Sequence, residues 1–433
     1  MPLTEHVAEH SYLGAQNSGL GRLLPAGQLR VADLAGHLRL HGPLPYQGGT
    51  GLIAAADAAG LTGRGGAAFP THRKLEAVRA GGEPSVVVGN GAESEPASAK
   101  DKTLLSVSPH LVLDGLQLAA EAVGARQAFL YVHRNSELLK SLNEAITQRA
   151  GRHIDRVAVR VVEAPARFLA GEKTALVNRI SGASALPRFN RPPVSDRGVG
   201  GAPTLVQNVE TLAHLALIAR HGPAWFREVG TPEEPGSMIC TIHTPGRPVQ
   251  VVETAIGVPL RSLVPLAVPA TQALLIGGYH GTWLPTVQAA SLPLANAALR
   301  PVGAAVGAGI LAALPAGRCG LAESANVARY LALESAGQCG PCLNGLPRIA
   351  GALAAIADLR PEPHMRANLL RWAGLVEGRG ACHHPDGTVR FVRSALVVFA
   401  HEENSHHEGR CSATDQRTFL PVPAVPPGNR DWK

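Results

Sequence analysis

Aromatic side chains are scarce in this chain, with 8 Phe, 5 Tyr and 4 Trp among 433 residues. Proteins that hold nucleic acid need a basic stripe, usually with aromatics for bases to stack on. Here the net charge of +7 is spread along the chain with no Lys/Arg-rich block, so nucleic acid is not an expected partner. A long apolar run is missing too. The most apolar stretch, Pro301–Gly317, is Ala/Gly-rich and shorter than the roughly 20 residues that cross a bilayer, so no membrane span is expected. The opening MPLTEHVAEHSYLG has two glutamates and no apolar centre, unlike a secretory signal. There are only six cysteines, and five of them lie from Cys319 onward. In a long chain without an export signal, such clustering favours metal or cluster ligation over disulfides, and the cytoplasm is the expected location.

What is present is an ordinary globular composition, 45% apolar and 17% charged. Gly and Pro make up about a fifth of the residues, below the roughly 25–30% that marks low complexity. The length suggests two to four domains at roughly 100–200 residues each. Residues 1–45 read as a loosely ordered lead-in. Helices are expected over Gly51–Gly60, Pro70–Ala80, Leu111–Val123 and Ser136–Arg149, with strands at Ser85–Val88, Ala128–Val132 and Ile154–Val162. That alternation is the pattern of an α/β domain with a Rossmann-like, largely parallel sheet, extending over residues 46–230 and closed by a helix over Leu205–His221. Residues 236–300 break into short strand-like or turn-rich pieces: Met238–His243, Arg247–Glu253, Leu260–Leu263 and Ala273–Gly277. Residues 320–410 read as a bundle with helices Ala322–Glu334, Leu343–Ala357, Arg366–Leu375 and Phe391–Glu403. The proline-rich remainder, 411–433, reads as an irregular tail.

The loop LTGRGGAAFPTHRK contains Gly63-x-Gly65-x-x-Ala68, a form of the dinucleotide fingerprint, although a helix and not a strand precedes it. Its glycines let backbone approach a phosphorylated ligand. Arg64 and Lys74 add positive charge, and Pro70 opens a helix whose N-terminus favours anions. Taken alone, the loop reads equally well as a plain glycine-rich turn.

Five motifs in order, GLTGRGGAAFPT, VVVGNGAESEP, RFLAGEKTALVNR, GGAPTLVQNVETLA and ESAGQCGPC, resemble the NADH-binding flavoprotein subunit (F-type) of respiratory complex I, or NADH:quinone oxidoreductase. The diaphorase subunits of NAD-linked hydrogenases and formate dehydrogenases resemble it as well. The likeness runs from about Gly51 to Cys382. It implies an FMN-binding α/β domain, a small β-grasp (ubiquitin-like, SLBB-type) module and a helical domain holding a [4Fe-4S] cluster. By this resemblance Gly63, Arg64, Gly65 and Lys74 surround FMN, Asn90 and Glu93 follow, and Glu95 approaches the nicotinamide cofactor. Phe168, Gly171 and Glu172 match the flavin-side pocket, and Asn208 matches the Asn-rich start of a helix. A flavin in such a protein accepts a hydride from NAD(P)H and hands electrons singly to the cluster. The implied partner is a ferredoxin-like or other iron–sulfur protein, or a larger, quinone-linked redox complex.

The chain departs from the family in places that bear on this chemistry. Gly-Glu-Glu becomes Gly171-Glu172-Lys173, and the Asp of Asn-Ala-Asp-Glu is lost in Asn90-Gly91-Ala92-Glu93. No aromatic follows Lys74, and the segment Pro187–Pro193 lacks the phenylalanine after its proline pair. Lys173 would attract a 2′-phosphate where a carboxylate repels one, which points away from NADH and toward NADPH or another donor. The cluster motif C-x-x-C-x-x-C becomes Ala336-x-x-Cys339-x-x-Cys342, with Cys382 as the distant ligand. Three thiolates suit a [3Fe-4S] cluster, or a [4Fe-4S] cluster with a non-cysteine fourth ligand. Cys319, Cys411, His383 and His384 are candidates for that position.

His383, His384, His401, His406 and His407 with Cys411 form a His-rich tract that leaves a second metal site open, but without regular ligand spacing they read first as a solvated loop. The Asp386-Gly387 pair in HHPDGTVR reads as a turn, and Cys240 as a buried small hydrophobe. Two functions of different class remain: an FMN-dependent oxidoreductase subunit, and a degenerate homologue kept for binding or assembly.

Overall fold

The computed structural model describes residues 20–25, 32–82, 84–134, 136–189, 192–424 and 432–433. Most of the expected lead-in, 1–19 and 26–31, lies outside these residues, as do Asn190, Arg191 and part of the tail.

Four strands, β1 (Ser85–Gly91), β2 (Ala125–His133), β3 (Val159–Ala164) and β4 (Thr204–Asn208), form an all-parallel sheet in the order β3-β2-β1-β4. β1 is buried along nearly its whole length, as expected for a central strand covered on both faces. The crossover helix Pro109–Val123 starts with proline at its first turn and ends at Gly124 in the left-handed region (φ 68), the usual asymmetry of helix ends. It packs on the helix Val209–Arg227 so closely that a Cβ on Gly115 would lie 1.9 Å from the Leu212 carbonyl oxygen. From Leu34 the lead-in is packed, not loose. The helix Leu34–His41 buries His37, whose Nε2 lies 2.8 Å from Asp114 Oδ2. That carboxylate also pairs with Arg149 and Arg220, and these contacts hold it well below the usual carboxylate range despite burial.

The expected helix Leu205–His221 is a strand and then a helix. Thr204–Asn208 pairs with β1, and Asn208 caps the helix that follows by accepting the Glu210 N–H at 3.0 Å. A short apolar run leading into a helical pattern does not reveal this boundary. The strand expected over Ile154–Val162 is confined to Val159–Ala164.

A second, mixed sheet contains β5 (Ser237–His243), β6 (Gln250–Ala255), β7 (Thr271–Ile276), β8 (Thr282–Pro285) and β9 (Ile310–Pro315), in the order β6-β5-β9-β7-β8. β5 and β9 run parallel and the other pairs antiparallel. The apolar stretch Pro301–Gly317 thus ends in a strand of this sheet. Among the described residues no helix is long and apolar enough to cross a membrane. Leu260–Leu263 is a short helical turn, and Cys240 is fully buried in β5 as expected.

The helices Gly320–Leu333, Leu346–Ala357, Met365–Val376, His384–Val398 and Ala400–His407 form the third part. Trp283 of β8 joins it to the second sheet, its indole donating to Ser324 Oγ at 3.1 Å and its ring against Phe399. The expected turn at Asp386-Gly387 is instead the first turn of the helix His384–Val398. There Asp386 accepts the Gly378 N–H at 2.8 Å, a carboxylate placed where the helix dipole favours it. Gly387 is required for a different reason. A Cβ would sit 2.4 Å from the His280 ring.

Candidate functional site

The carboxyl ends of β1 and β4 open into a cavity of about 300 Å³, where ligands bind in parallel sheets of this kind. Gly65, Asn90, Glu93, Glu95, Phe168, Gly171, Glu172 and Asn208 line it, so eight of the twelve cofactor residues expected from sequence meet in one place. The wall is tight. A Cβ on Gly171 would come 2.9 Å from the Ala92 carbonyl oxygen and 3.0 Å from Ser94 Oγ. Asn90 Nδ2 donates to the Gly171 carbonyl at 3.0 Å and pins the two segments together.

Four expected residues do not line it. The loop Gly63–Phe69 is closed by a bridge between Thr62 and Pro70. Arg64 turns its guanidinium into the junction with β5, donating to the carbonyls of Ser237 (3.2 Å) and Pro235 (3.3 Å) and to Thr62 Oγ1 (2.9 Å). Lys74 is half-buried on the helix Thr71–Ala80, and Lys173 is exposed at the start of Lys173–Ile180. Gly63 sits at the base of its loop, its N–H bonded to the Phe69 carbonyl at 2.9 Å. Burial and the charge of Lys173 lower the pKa of Lys74. Lys74 has no ion-pair or hydrogen-bond partner among the described residues, and neither has the buried Thr71 Oγ1 one turn earlier. The neighbouring cations Lys74 and Lys173 make a surface suited to an anion.

Beneath the cavity lies a charged floor that sequence reading missed. Lys100 Nζ, 3% exposed, donates to Asp101 Oδ1 at 2.7 Å and to Glu210 Oε2 at 2.8 Å. Asn208 Nδ2 donates to Asp101 Oδ2 at 2.8 Å, and Glu210 Oε1 accepts the Ile239 N–H at 2.9 Å. Against the pull of burial, the two carboxylates raise the Lys100 pKa. Glu93 caps the helix Lys100–Val107 by accepting the N–H groups of Asp101 and Lys102, each at 3.1 Å, and the Ser98 hydroxyl. Glu172 caps its own helix through Thr174 and Ala175. Glu95 is held differently. Among the described residues it accepts only the Tyr279 N–H, at 2.6 Å, and burial pushes its carboxyl up to about 8.

The far wall is shared by the β7–β8 connection and the helical part. His280, Cys382, His383 and His384 line it. His384 Nε2 lies 2.8 Å from the Leu331 carbonyl, which only accepts, so Nε2 carries the proton and Nδ1 accepts from His280 Nε2 at 3.0 Å. Burial depresses both imidazoles, His384 to about 4, and both are neutral at pH 7. Phe168 stands edge-on to His280, with ring centroids 4.9 Å apart.

Cys339 and Cys342 face one another at the turn Pro341–Gly345, and Cys382 lies near enough to Cys339 and to Glu172 to feel both. Burial pushes the Cys382 thiol up to about 11 and raises that of Cys342 further. A groove of about 660 Å³ opens beside Cys339, between Arg188 and Phe189 on one side and Gln338 and Arg379 on the other. Glu334, the first residue of ESAGQCGPC, ties this turn to the cavity. Its Oε2 accepts from Arg167 Nε and from the Phe168 N–H, both at 2.9 Å. Both acidic anchors, Glu210 and Glu334, lie within motifs already recognised, but nothing local in the sequence says that they are buried.

Of the expected fourth-ligand candidates, His384 has both ring nitrogens engaged. Cys319 and Cys411 lie in a separate cluster with Glu402 and His406. His383 is exposed and faces Asp386 at 3.6 Å. The expected solvated histidine tract is a helix whose His406 is 1% exposed, because spacing by four places Glu402 and His406 on one inward face.

Comparison with known proteins shows the family of the chain. The family described as the Nuo51 FMN-binding domain matches residues 56–217, and that of the NADH-ubiquinone oxidoreductase-F iron-sulfur binding region matches 322–406. The F-type subunit of the Mycobacterium tuberculosis NADH-quinone oxidoreductase is 30% identical over 392 residues, covering 86% of this chain and 88% of that protein. Its counterpart in Streptomyces coelicolor is 29% identical, covering 83% of each. Two structures of an NAD+-reducing [NiFe]-hydrogenase, H2-reduced and air-oxidized, superpose with TM-scores of 0.76 and 0.78 at 28% identity. They cover 84% and 90% of this chain, which spans 63% and 66% of the hydrogenase chains.

Proposed function

Because the chain belongs to the family of F-type subunits of NADH-quinone oxidoreductase, we propose that it moves electrons between a reduced nicotinamide and an iron–sulfur cluster by way of FMN. The observation that carries this reading is the position of Cys382, which lines the cavity and also faces Cys339. Flavin site and thiol site share a wall.

The residues fit a flavin nucleotide. Gly65 and Gly171 let the segments of the wall pack closely against Asn208 and Ala92, and Lys74 beside Lys173 offers a cationic patch suited to phosphate. FMN, when bound, supplies the exchange between two-electron hydride chemistry and single-electron transfer. The chain's own residues shape and dry that site. Phe168 and the neutral His280–His384 pair close the wall toward the thiols, and Asn90 and Asn208 fix the two strand ends. Glu95, protonated at neutral pH, presents no charge to an incoming dinucleotide. Lys173 lies beside Lys74 and outside the cavity, so its cation adds to anion attraction without singling out a 2′-phosphate.

The thiols of Cys339, Cys342 and Cys382 fit a cluster anchored by three thiolates, with Ala336 offering only a methyl group where the family pattern has a cysteine. We assign the mixed sheet to the β-grasp (SLBB-type) module of the family, continuing past residue 300 through β9, between a flavin domain over 46–230 and a cluster domain over 320–410. Relatives named as parts of quinone and hydrogenase enzymes support membership of a larger redox complex. A ferredoxin-like acidic protein suits the +7 charge as immediate partner. Six free thiols suit a reducing compartment, the cytoplasm.

Ala336 also favours a second reading, a non-catalytic assembly subunit. Anaerobic purification followed by separate titrations with NADH and NADPH decides between them. Bleaching of the flavin band supports the enzyme, and a chain free of flavin and iron supports the assembly role.

A further inference from the structure

Away from the cavity, four potential ligands converge at the outer end of the helical part. Cys319, Glu402, His406 and Cys411 place one donor atom each within 4.8 Å of one another. We propose that they form a structural site for a zinc-class divalent cation. This site is independent of the flavin and cluster assignments.

The local structure builds such a site from three elements. Cys319 caps the helix Gly320–Leu333, its Sγ accepting the Ala322 N–H at 3.4 Å. Glu402 and His406 sit one helical turn apart on Ala400–His407, and Cys411 follows just beyond its end. His406 Nδ1 lies 2.9 Å from the Ile356 carbonyl. A carbonyl only accepts, so Nδ1 holds a proton and Nε2 is the atom turned toward the cluster, the arrangement usual for metal-bound imidazoles. Nε2 is 3.6 Å from Cys319 Sγ and 3.0 Å from Glu402 Oε1. Ligands bound to zinc at 2.0–2.3 Å in a tetrahedron lie about 3.3–3.8 Å apart, close to the spacing found here.

Glu402 is itself oriented from outside. Its Oε1 accepts the Ser412 N–H at 2.8 Å and its Oε2 accepts the Ser412 hydroxyl. Cys319, Glu402 and His406 are 6%, 3% and 1% exposed, whereas Cys411 is at the surface, which leaves a way in for the ion. A Glu–His ion pair alone would need no thiols around it. Two sulfurs, one imidazole nitrogen and one carboxylate oxygen saturate a tetrahedral ion, so no position stays open for substrate and the site is structural. That donor set ranks zinc above ferrous iron. The ion would fasten the last helix to the first helix of the domain. All three cluster cysteines lie in sequence between its first and last ligands.

Zinc and iron are quantified per chain in the full-length protein and in Cys339→Ser, His406→Ala and Cys411→Ser. About one zinc per chain is expected, retained when Cys339→Ser lowers the iron and lost in His406→Ala and Cys411→Ser. The exposed position of Cys411 keeps its variant informative should His406→Ala fail to fold. Cobalt-loaded protein is expected to show thiolate-to-cobalt absorption that disappears in Cys411→Ser. The proposal is overturned by wild type without zinc or cobalt absorption, by zinc that leaves with Cys339→Ser, or by a Cys319–Cys411 disulfide in the metal-free chain.

Discussion

The floor of the cavity and its far wall are completed in opposite ways. In the floor the protein satisfies itself: Lys100 is neutralised by Asp101 and Glu210, and Glu93 accepts three hydrogen bonds. In the wall, burial keeps protons on thiols that a cluster needs as thiolates, and the first position of the motif is alanine. A preorganised organic-cofactor pocket needs buried charge balanced before the ligand arrives. An inorganic site is balanced by the metal itself, which replaces the protons. The two regions therefore differ in what their loss costs.

The largest expected effect is in the floor. Lys100→Met leaves Asp101 and Glu210 buried without their cation, which costs about 3–5 kcal/mol, read by urea unfolding, with loss of flavin. Gly171→Ala pushes a Cβ into the Ala92 carbonyl and costs about 1–3 kcal/mol, with weaker flavin retention in a folded protein. Cys339→Ser lowers the iron per chain, leaves the flavin spectrum nearly unchanged and shifts the unfolding midpoint less than Lys100→Met does. An equal loss of stability in Cys339→Ser and Lys100→Met would erase the contrast. Ala336→Cys tests the wall from the other side: it is expected to raise iron per chain and to make the cluster slower to bleach in air.

The smallest effect is a pH dependence. Folded Glu95 keeps its proton up to about 8, whereas an unfolded glutamate releases it near 4.5. The stability tied to this group is therefore full in acid and declines as pH rises between those values. Thermal unfolding of Glu95→Gln, compared with wild type at about pH 5 and about pH 9, is expected to lack this part of the decline.

The elements that sequence reading located best are those whose pattern repeats locally. β1 is a buried apolar run, and Ser136–Ala150 and Thr71–Ala80 start and end where their helical patterns do. β4 escaped because it is five residues long and its Leu205-Val206 pair runs directly into the apolar pattern of the helix that follows. Most of the cavity was legible because its glycines and acidic residues sit in compact motifs. Its floor was not, since Lys100 and Glu210 are 110 positions apart and each looks like an ordinary surface charge. The same holds for Cys319 and His406, separated by 87 positions. Arg64 misled for a simpler reason: a cation in a glycine loop suggests phosphate, yet here it braces the next module.

The central claim is that the cavity and the three thiols act as one electron path joined at Cys382. Anaerobic titration with NADH, following flavin absorbance and cluster paramagnetic resonance together, tests it most directly. Flavin bleaching accompanied by a reduced-cluster signal is expected, with Cys382→Ser keeping the bleaching and losing the signal. Full bleaching in wild type with an intact cluster that never becomes reduced would contradict it.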